Sequence, residues 1–430
     1  MFPHLLRDEQ IGRAYEIYRA AMAASFYAEK YMGCAVPSDA DSWSKIPMLT
    51  RQEIFDNAYP RYRRMLTKPL SRMIITSTGG STGVARHSVL SYEEWEASCN
   101  VQSMALHLLG IREDDRVANL FVAGHLWPSF IGVHDALRLV GAVHLPISAN
   151  ISPDEIARMC HEFDPSVMLS LPTLFVLLAD LALKEKYEFP SLRLIGYAGE
   201  QMSEQAQRHV RHGLKVGEIK ALAYSSADAG LMGYQCPQCG FATYHAPTHF
   251  QLIEIINTET GQPAKAGEDG ELIVTNLARR IMPLIRYRIG DIGTFLPDVC
   301  SCGDRNPLFR LAGRAGEDFK LGGAYISLKV FDECLEQVSD LVSLNYNVEL
   351  EDIANQMDLR LTVEAGDPIK AKDAEPRLRD ALCRIVPEIA IGIEKNYIRQ
   401  FRIRFIELGA LPRHPITGKV RKLTDKRVIS

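Results

Sequence analysis

The sequence has no long uninterrupted apolar run and no excess of basic residues. Its most apolar stretch, residues 167–183, is interrupted by Pro172 and Asp180, which argues against a membrane-spanning helix. The net charge of −4 makes a polyanionic partner such as a nucleic acid a poor match. The first residues contain no basic segment followed by a long apolar one, so we expect no secretory signal and a cytoplasmic protein.

Internal repeats and low-complexity segments are also absent, and the 430 residues, 47% hydrophobic and 24% charged, predict an ordinary globular chain of two or three domains. After a mixed helical pattern over residues 11–31, strand-length apolar runs alternate with helical patterns, such as residues 153–163, up to residue 197. This alternation predicts an α/β fold with layers around mainly parallel sheets. The pattern becomes β-rich after residue 250. We expect a large domain at residues 1–312 and a small α+β domain at residues 313–430.

Polar residues mark three helix starts. Thr50 with Glu53, and Ser91 with Glu94, have the spacing of a capping box, in which each side chain bonds the other residue's backbone N–H group. Ser203 has the position of an N-cap. These signals predict helices that begin directly after residues 50, 91 and 203.

A glycine-rich stretch follows the strand-like residues 73–77. It consists of Thr78, Gly79, Gly80, Ser81, Thr82 and Gly83. Glycines let backbone N–H groups turn toward an anion, and small hydroxyl groups add donors, so such a loop can wrap a phosphate chain. It is not a Walker A loop, because Val84 follows the last glycine where that motif has lysine. Taken alone, the stretch is equally well explained as a surface turn.

Nine cysteines are distributed unevenly. Five are scattered among apolar patterns and are expected to be buried free thiols: Cys34, Cys99, Cys160, Cys334 and Cys383. Four form two close pairs, each followed by glycine: Cys236 with Cys239, and Cys300 with Cys302. In a reducing compartment this pattern favours a closed tetrahedral zinc site, with His245 as an alternate ligand. Four protein ligands leave no position for a substrate, so the zinc would be structural and would tie the loop within residues 236–302.

Further turns carry carboxylates or a lysine. Gly199-Glu200 follows one core strand, residues 224–228 follow another, and Asp291 follows a glycine in the β-rich region. Ligands of open α/β sheets lie beyond the carboxyl ends of the strands, so these turns and the glycine-rich loop are candidates for one cleft. Each turn taken singly is better explained as an ordinary connection. Lys419 follows Gly418 on a proline-punctuated loop that would let its ammonium group project.

These motifs have a fixed order along the chain: Thr78–Gly83, Gly199-Glu200, Tyr224–Asp228, Tyr287–Asp291, Gly313-Arg314 and Pro415–Lys419. The order resembles that of adenylate-forming enzymes, the superfamily of acyl-CoA synthetases, peptide-synthetase adenylation domains and luciferases. Within it, several stretches resemble the phenylacetate–CoA ligase branch: residues 46–54, 191–200, 270–275, 283–288 and 300–303. The resemblance covers essentially the whole chain.

The resemblance implies ATP-dependent activation of a carboxylic acid as acyl-AMP, followed by transfer to a thiol, with CoA as the favoured acceptor. The nucleotide-binding residues that it implies are Thr78, Gly79, Gly80, Ser81, Thr82, Gly83, Gly199, Glu200, Tyr224, Ser225, Asp291 and Arg314. Among these, the loop would hold the β- and γ-phosphates, Tyr224 would lie along the adenine, and Asp291 would bind the ribose hydroxyls. Asp228 would ligate Mg²⁺. Lys419, on a C-terminal domain that acts as a mobile lid, would bridge the attacking carboxylate and the α-phosphate.

Four positions depart from the family pattern. Val84 stands where a lysine is common, and Ala227 lacks the hydroxyl group of the usual threonine. Asp228 is one methylene shorter than the usual glutamate, and Gly316 replaces an acidic hinge residue. These departures are compatible with a retuned ATP site or an altered second step. An inactive, zinc-stabilised nucleotide-binding module is the alternative that they support.

The acyl substrate is predicted from aromatic residues. The candidate pocket residues are His125, Trp127, Phe130, Tyr197 and Tyr234, although each is also a candidate core residue. Their surface suits a planar acid, and the branch favours an aryl or arylacetic carboxylate. A larger aromatic acid of secondary metabolism, such as a phenazine carboxylate passed to a carrier protein or an amine, is the second interpretation. The assembly, for example a homodimer, is left open.

Overall fold

The computed structural model describes residues 8–78, 86–314, 319–321, 324–353, 356–413 and 420–426. Helices and mixed sheets confirm the expected α/β class. Two compact units are formed: the first comprises residues 1–119, 123–146 and 220–315, and the second comprises residues 120–122, 147–219 and 316–430. A C-terminal lid at residues 313–430 stays a prediction. Among the described residues, no helix has the length and apolar character needed to cross a membrane.

The helices and strands follow one another along the chain within these described ranges. The α-helices are α1 (Asp8–Ala21), α2 (Ser25–Lys30), α3 (Ala40–Ser44), α4 (Arg51–Asn57), α5 (Tyr92–Leu108), α6 (Pro128–Val140), α7 (Pro153–Phe163), α8 (Pro172–Glu185), α9 (Glu204–Leu214), α10 (Lys329–Glu336), α11 (Glu375–Ile385) and α12 (Pro387–Glu394). The strands are β1 (Met73–Ser77), β2 (His87–Ser91), β3 (Arg116–Asn119), β4 (Val143–Leu145), β5 (Val167–Ser170), β6 (Leu194–Ala198), β7 (Glu218–Ser226), β8 (Gly230–Gly233), β9 (Thr243–His245), β10 (Gln251–Ile256), β11 (Gly270–Asn276), β12 (Tyr287–Phe295), β13 (Leu308–Arg314), β14 (Phe319–Leu321), β15 (Ala324–Ile326), β16 (Tyr346–Ile353), β17 (Gln356–Ala365), β18 (Ile398–Glu407) and β19 (Leu423–Asp425). A 3₁₀ turn at Lys370–Ala374 precedes α11.

The first unit contains an antiparallel sheet of five strands in the order β10-β11-β12-β13-β9. Strands β1 and β2 form an antiparallel hairpin in which Ser77 lies opposite His87. Parallel pairing joins β3 to β4, and antiparallel pairing joins β7 to β8. The β-rich region expected after residue 250 is therefore this five-stranded sheet.

The second unit combines a parallel pair, β5 and β6, with a four-stranded sheet in the order β18-β17-β16-β19. Arg208 of α9 forms two hydrogen bonds with Glu336 of α10, of 2.6 and 2.7 Å. The buried Asn345 side chain donates to the carbonyl oxygen of Thr173 at 3.3 Å. These contacts join residues 147–219 to the C-terminal part of the chain.

The predicted helix starts are confirmed. The Thr50 hydroxyl accepts from the Glu53 N–H group at 3.2 Å, and the Glu53 carboxylate accepts from the Thr50 N–H group at 2.8 Å. Ser91 and Glu94 form the same reciprocal pair, with distances of 3.2 and 2.9 Å. Ser203 accepts from the N–H group at position 206. Side-chain oxygens thus satisfy backbone donors that the first helical turn leaves unpaired.

A buried ion pair fixes the start of β12. The Glu254 carboxylate accepts from Arg286 at 3.0 and 3.2 Å and from the indole N–H of Trp43 at 3.1 Å. Arg286 also donates to the carbonyl oxygen of Ile46 at 2.7 Å. Burial raises the pKa of Glu254, while Arg286 acts to lower it. The pair ties the chain before α4 to the five-stranded sheet.

We expect Arg286→Met to lower the free energy of unfolding by about 3–5 kcal/mol, because it leaves a buried carboxylate without its counter-charge. Arg288→Met is the matched control: its ion pair with Glu271 is half exposed, so the loss should stay within about 1 kcal/mol. Denaturant unfolding measures both. Equal, small losses would show that the buried pair is dispensable.

Candidate functional site

The base of the glycine-rich loop is fixed by two hydrogen bonds between Thr78 and Arg86. The Thr78 N–H group donates to the Arg86 carbonyl oxygen at 2.8 Å, and the Arg86 N–H group donates to the Thr78 hydroxyl at 2.9 Å. These bonds continue the β1–β2 hairpin by one residue on each side. Gly79, Gly80, Ser81, Thr82, Gly83 and Val84 lie outside the described residues. The described part of this site is therefore Thr78 and Arg86.

Asp228 is the centre of a buried polar cluster in the same unit, and only 1% of its surface is exposed. Its Oδ2 accepts from Nε and Nη2 of Arg86 at 2.9 and 2.8 Å and from the Tyr287 hydroxyl at 3.1 Å. The Arg279 guanidinium donates to its backbone carbonyl oxygen. Burial, followed by the Asp228 charge, raises the pKa of Tyr287, which keeps this hydroxyl a donor.

The other carboxylate oxygen of Asp228 is in a different situation. Oδ1 is buried and has no hydrogen-bond partner among the described residues. A buried oxygen left in this state costs about 1–3 kcal/mol, which a ligand atom would recover. Mg²⁺ binds one or two carboxylate oxygens together with nucleotide phosphates and water. The arrangement thus fits the Mg²⁺ role that the sequence predicts for Asp228.

A second carboxylate, Asp291, is paired with Tyr224. The Tyr224 hydroxyl donates to Asp291 Oδ2 at 2.5 Å. The Tyr224 ring lies 5.9 Å from the ring centroids of both Tyr244 and Phe309, which support it. Arg314 lies opposite Asp291 in the β12–β13 register, although its side chain lies outside what the structure describes. Tyr224, Asp291 and the backbone of Arg314, all predicted nucleotide-site residues, are therefore neighbours.

The turn before Asp291 depends on a glycine. Gly290 has a φ of +80°, a conformation that favours glycine, and a Cβ atom there would lie 2.9 Å from Nη2 of Arg51. Arg51 donates to the carbonyl oxygen of Ile289. Ser225, the residue after Tyr224, is exposed on β7. Local backbone geometry thus positions the Asp291 carboxylate.

The paired cysteines converge. One ligand atom each of Cys236, His245, Cys300 and Cys302 lies within 4.8 Å of the other three. The Sγ atoms of Cys236 and Cys300 are 3.5 Å apart, and Cys302 Sγ is 3.6 Å from His245 Nε2. A tetrahedral site with Zn–S bonds of 2.3 Å places its sulfur atoms about 3.8 Å apart. Disulfide sulfurs would be about 2 Å apart, so these distances suit zinc ligands.

His245 competes with Cys239 for the fourth position. Its Nδ1 faces the carbonyl oxygen of Asn306 at 3.4 Å and the Asp304 carboxylate at 3.6 Å, which leaves Nε2 toward the thiols. A ligating histidine commonly has such a partner on its other ring nitrogen. Cys239 Sγ lies 3.6 Å from Cys236 Sγ and accepts from the Cys236 N–H group. The geometry favours three cysteines and His245.

The predicted substrate residues lie in different surroundings. Tyr234 is buried beside the cysteines: its ring stacks on His245 at 5.3 Å, and its hydroxyl bonds Asp304 and Asn306. Tyr197 is buried in the second unit, where Gln201 donates to its hydroxyl at 3.3 Å. These contacts stabilise the fold around both tyrosines, and their role in a substrate pocket stays a prediction.

The other aromatic candidates lie on a segment that adjoins the end of β1. Gly124, His125 and Leu126 all have positive φ values, of 92°, 52° and 62°, and the Leu126 carbonyl oxygen accepts from the Ser77 N–H group at 2.8 Å. His125 is exposed, and Trp127 and Phe130 are half-buried. The segment therefore passes the end of β1, next to the residues that open the loop.

Gly199 and Glu200 belong to the second compact unit. Gly199 has a φ of +85°, as a tight turn after β6 requires. The Glu200 carboxylate accepts from the N–H group and the hydroxyl of Thr173, at 3.4 and 3.1 Å, at the start of α8. These contacts explain Glu200 as a helix cap, and its nucleotide role stays a prediction.

Comparisons with known proteins agree with these motifs. A family model described as AMP-binding enzyme matches residues 67–278. The phenylacetate–coenzyme A ligase of Pseudomonas putida is 23% identical over 443 residues, covering 99% of this chain and 95% of the relative. That of Escherichia coli K12 is 22% identical, covering 90% and 85%. Among solved structures, a 2-hydroxyisobutyryl-CoA ligase in the postadenylation state with 2-HIB-AMP has a TM-score of 0.80 at 18% identity, covering 98% of this chain and 90% of that one.

The chain belongs to the adenylate-forming superfamily. Its relatives place it with the phenylacetate–CoA ligase-like branch, as the sequence motifs predict. Lys419 and Gly316 of this adenylate-forming enzyme lie outside the described residues, so the role of Lys419 stays a prediction.

Sequence reasoning missed three residues of the adenylate-forming enzyme's Asp228 cluster. Arg86, Arg279 and Tyr287 hold this aspartate, yet they are 142, 51 and 59 residues away from it along the chain. A basic residue three positions after the last glycine of the loop was the available signal for Arg86. Arg279 carries no comparable local signal, and Tyr287 opens the Tyr287–Asp291 motif without an assigned role.

We propose one structural zinc ion per chain, held by the three cysteines and His245, and expect elemental analysis of the purified protein to find it. His245→Ala should lose the metal and lower the melting temperature, because zinc binding stabilises the folded loop. Cys239→Ser is the matched control and should keep zinc. Retention in His245→Ala with loss in Cys239→Ser would assign the site to four cysteines.

Proposed function

We propose that this chain converts an aryl or arylacetic acid into its CoA thioester through an acyl-adenylate. The family assignment supports the enzyme class, an adenylate-forming acid–thiol ligase. The observation that carries the nucleotide site is the Asp228 cluster. A buried carboxylate with one unpartnered oxygen, held by the arginine that ends the glycine-rich loop, suits a magnesium-bound triphosphate.

Asp291 and Tyr224 supply the nucleoside part of the proposed site. A carboxylate oxygen can accept from a ribose hydroxyl group, and the Tyr224 hydroxyl holds the Asp291 carboxylate through its other oxygen. The Tyr224 ring, packed against Tyr244 and Phe309, offers a flat surface for the adenine. Together these residues would hold the nucleoside, and the loop at residues 78–83 would hold the β- and γ-phosphates.

The first reaction brings two anions together. A carboxylate oxygen of the acid attacks the α-phosphorus, and the bond between the α-phosphorus and the pyrophosphate oxygen breaks. Mg²⁺ held at the Asp228 carboxylate would neutralise charge on the departing pyrophosphate. Lys419 contributes a compact positive charge, which suits the bridge between the attacking carboxylate and the α-phosphate.

In the second reaction the thiol sulfur attacks the acyl carbon. The bond from that carbon to the phosphate oxygen breaks, AMP leaves with the electron pair, and the thiol proton is released. Lys419 is not needed in this step, since AMP is already a stable leaving group. Withdrawal of the predicted lid would open a path for the thiol.

The acyl group is assigned to the segment at residues 124–130. Trp127 and Phe130 offer aromatic surface, and the Trp127 indole nitrogen is buried without a partner among the described residues. An aromatic acid would cover this surface, and a polar substituent would satisfy that N–H group. The curated relatives named above are phenylacetate–CoA ligases, which favours an arylacetic acid. A solved structure similar to this chain is a 2-hydroxyisobutyryl-CoA ligase. The small branched acid 2-hydroxyisobutyrate is therefore the acid with which aryl and arylacetic acids should be compared.

We expect ATP–pyrophosphate exchange that depends on an aryl or arylacetic acid and is weak with 2-hydroxyisobutyrate. Lys419→Ala should reduce exchange by orders of magnitude, because one ammonium offsets the charge that builds on the α-phosphorus. The same variant should still form the thioester from supplied acyl-adenylate and CoA. Lys426→Ala, which removes an ion-paired lysine near the end of the described chain, is the control and should leave both reactions unchanged.

The pattern of results separates the alternatives. Exchange without thioester formation from free CoA would point to a carrier-protein or amine acceptor. Nucleotide binding without exchange for any acid would favour the inactive module. Unchanged exchange in Lys419→Ala would remove this lysine from the mechanism.

A further inference from the structure

We propose that Arg86 is a positioning residue for the metal ion that accompanies ATP. Together with Tyr287, it holds one oxygen of the Asp228 carboxylate and thereby presents the other oxygen to Mg²⁺. The inference rests on the proposed function, since it assumes that this cluster receives a magnesium-bound nucleotide. It concerns residues to which the sequence motifs assign no role.

The two oxygens of the Asp228 carboxylate differ in their hydrogen bonds. Arginine commonly bonds a carboxylate through two nitrogens and two oxygens in parallel. Here Nε and Nη2 of Arg86 both bond Oδ2, and the Tyr287 hydroxyl bonds the same oxygen. Oδ1, equally buried, has no partner among the described residues. Three donors on one oxygen and none on the other leave a defined position for a cation.

Each member of the cluster is itself anchored. The backbone of Arg86 is fixed by its two hydrogen bonds with Thr78. Arg279 bonds the backbone carbonyl oxygen of Asp228, and Tyr287 is fully buried at the start of β12. A short aspartate side chain held at its backbone and at one oxygen has little freedom to rotate. The direction of Oδ1 is therefore set before any ligand arrives.

The positive charge of Arg86 raises the opposite possibility, that Arg86 competes with the metal ion for the Asp228 carboxylate. Competition would be expected if Arg86 occupied both oxygens, but it occupies one. Carboxylates that ligate metals are usually hydrogen-bonded by a second set of residues, whose loss costs about 10- to 100-fold in metal affinity or activity. Arg86 bonds the carboxylate oxygen that would not ligate the metal, as such supporting residues do. We therefore expect weaker metal binding without Arg86.

The test compares nucleotide affinity with and without the metal. Calorimetry with α,β-methylene-ATP, once with Mg²⁺ and once with EDTA, gives the factor by which Mg²⁺ strengthens binding. We expect Arg86→Met to reduce this factor about 10- to 100-fold, and Asp228→Asn to reduce it similarly. Arg399→Met is the matched control: it removes an arginine paired with an aspartate in the other compact unit and should leave the factor unchanged. A purely structural Arg86 would change the melting temperature but not the factor.

Because Arg86→Met leaves a buried carboxylate unpaired, a second measurement uses the wild-type protein. A crystal structure with Mg²⁺ and α,β-methylene-ATP should show the metal on Oδ1, directly or through one water, with Arg86 still on Oδ2. A structure in which Arg86 has left Asp228 for a phosphate would overturn the proposal. A magnesium factor that is unchanged or larger in a folded Arg86→Met variant would do the same.

Failure of this inference can be told apart from failure of the proposed function. If the wild-type protein binds the nucleotide and catalyses acid-dependent exchange while Arg86→Met keeps the full magnesium factor, only the role of Arg86 is refuted. If the wild-type protein shows neither nucleotide binding nor exchange, the proposed function fails and this inference fails with it.

Discussion

A carboxylate taken out of water needs donors or a counter-charge, and this constraint organises the first compact unit. Asp228 is held by Arg86 and Tyr287, while Asp291 is held by Tyr224. In both cases a tyrosine hydroxyl bonds Oδ2 of the aspartate. Since the donors come from distant parts of the chain, the two carboxylates can be placed only when the whole unit is folded. In the proposed function, the folded unit would therefore serve as one support for the nucleotide.

A third carboxylate, that of Glu254, helps to position this unit's site residues. The buried pair of Glu254 and Arg286 joins the segment before α4 to the five-stranded sheet. Tyr287, the next residue after Arg286, starts β12, and Asp291 lies four residues further along the same strand. Packing around Arg286 thus helps to fix the position of Tyr287 and Asp291. The convergent cysteines play a comparable part at the β9 edge, where His245 ends the strand.

Local signals made part of this structure predictable. The capping boxes at Thr50 and Ser91 and the helix at residues 153–163 depend on neighbours in sequence, and each is confirmed. Elements whose bounds depend on tertiary contacts were predicted less well from the sequence. The pattern over residues 11–31 is divided into α1 and α2, and the Phe26 N–H group bonds the distant Arg64 carbonyl oxygen. Helix α12 carries β-branched residues and a glycine that packs against Ile398, residue types that give only a weak local signal for a helix. The hydrogen bonds around Asp228 could not be predicted for the same reason, because their donors are far from Asp228 in sequence.

The central claim is that the acid becomes a mixed anhydride with AMP before the thiol attacks. The most direct measurement follows oxygen from a substrate carboxylate labelled with ¹⁸O on both oxygens, using mass spectrometry of the nucleotide products. In the proposed route the attacking carboxylate oxygen stays on phosphorus when the thiol displaces AMP. The account predicts AMP carrying one ¹⁸O atom and unlabelled pyrophosphate. Label in inorganic phosphate with formation of ADP, or AMP without label, would contradict it.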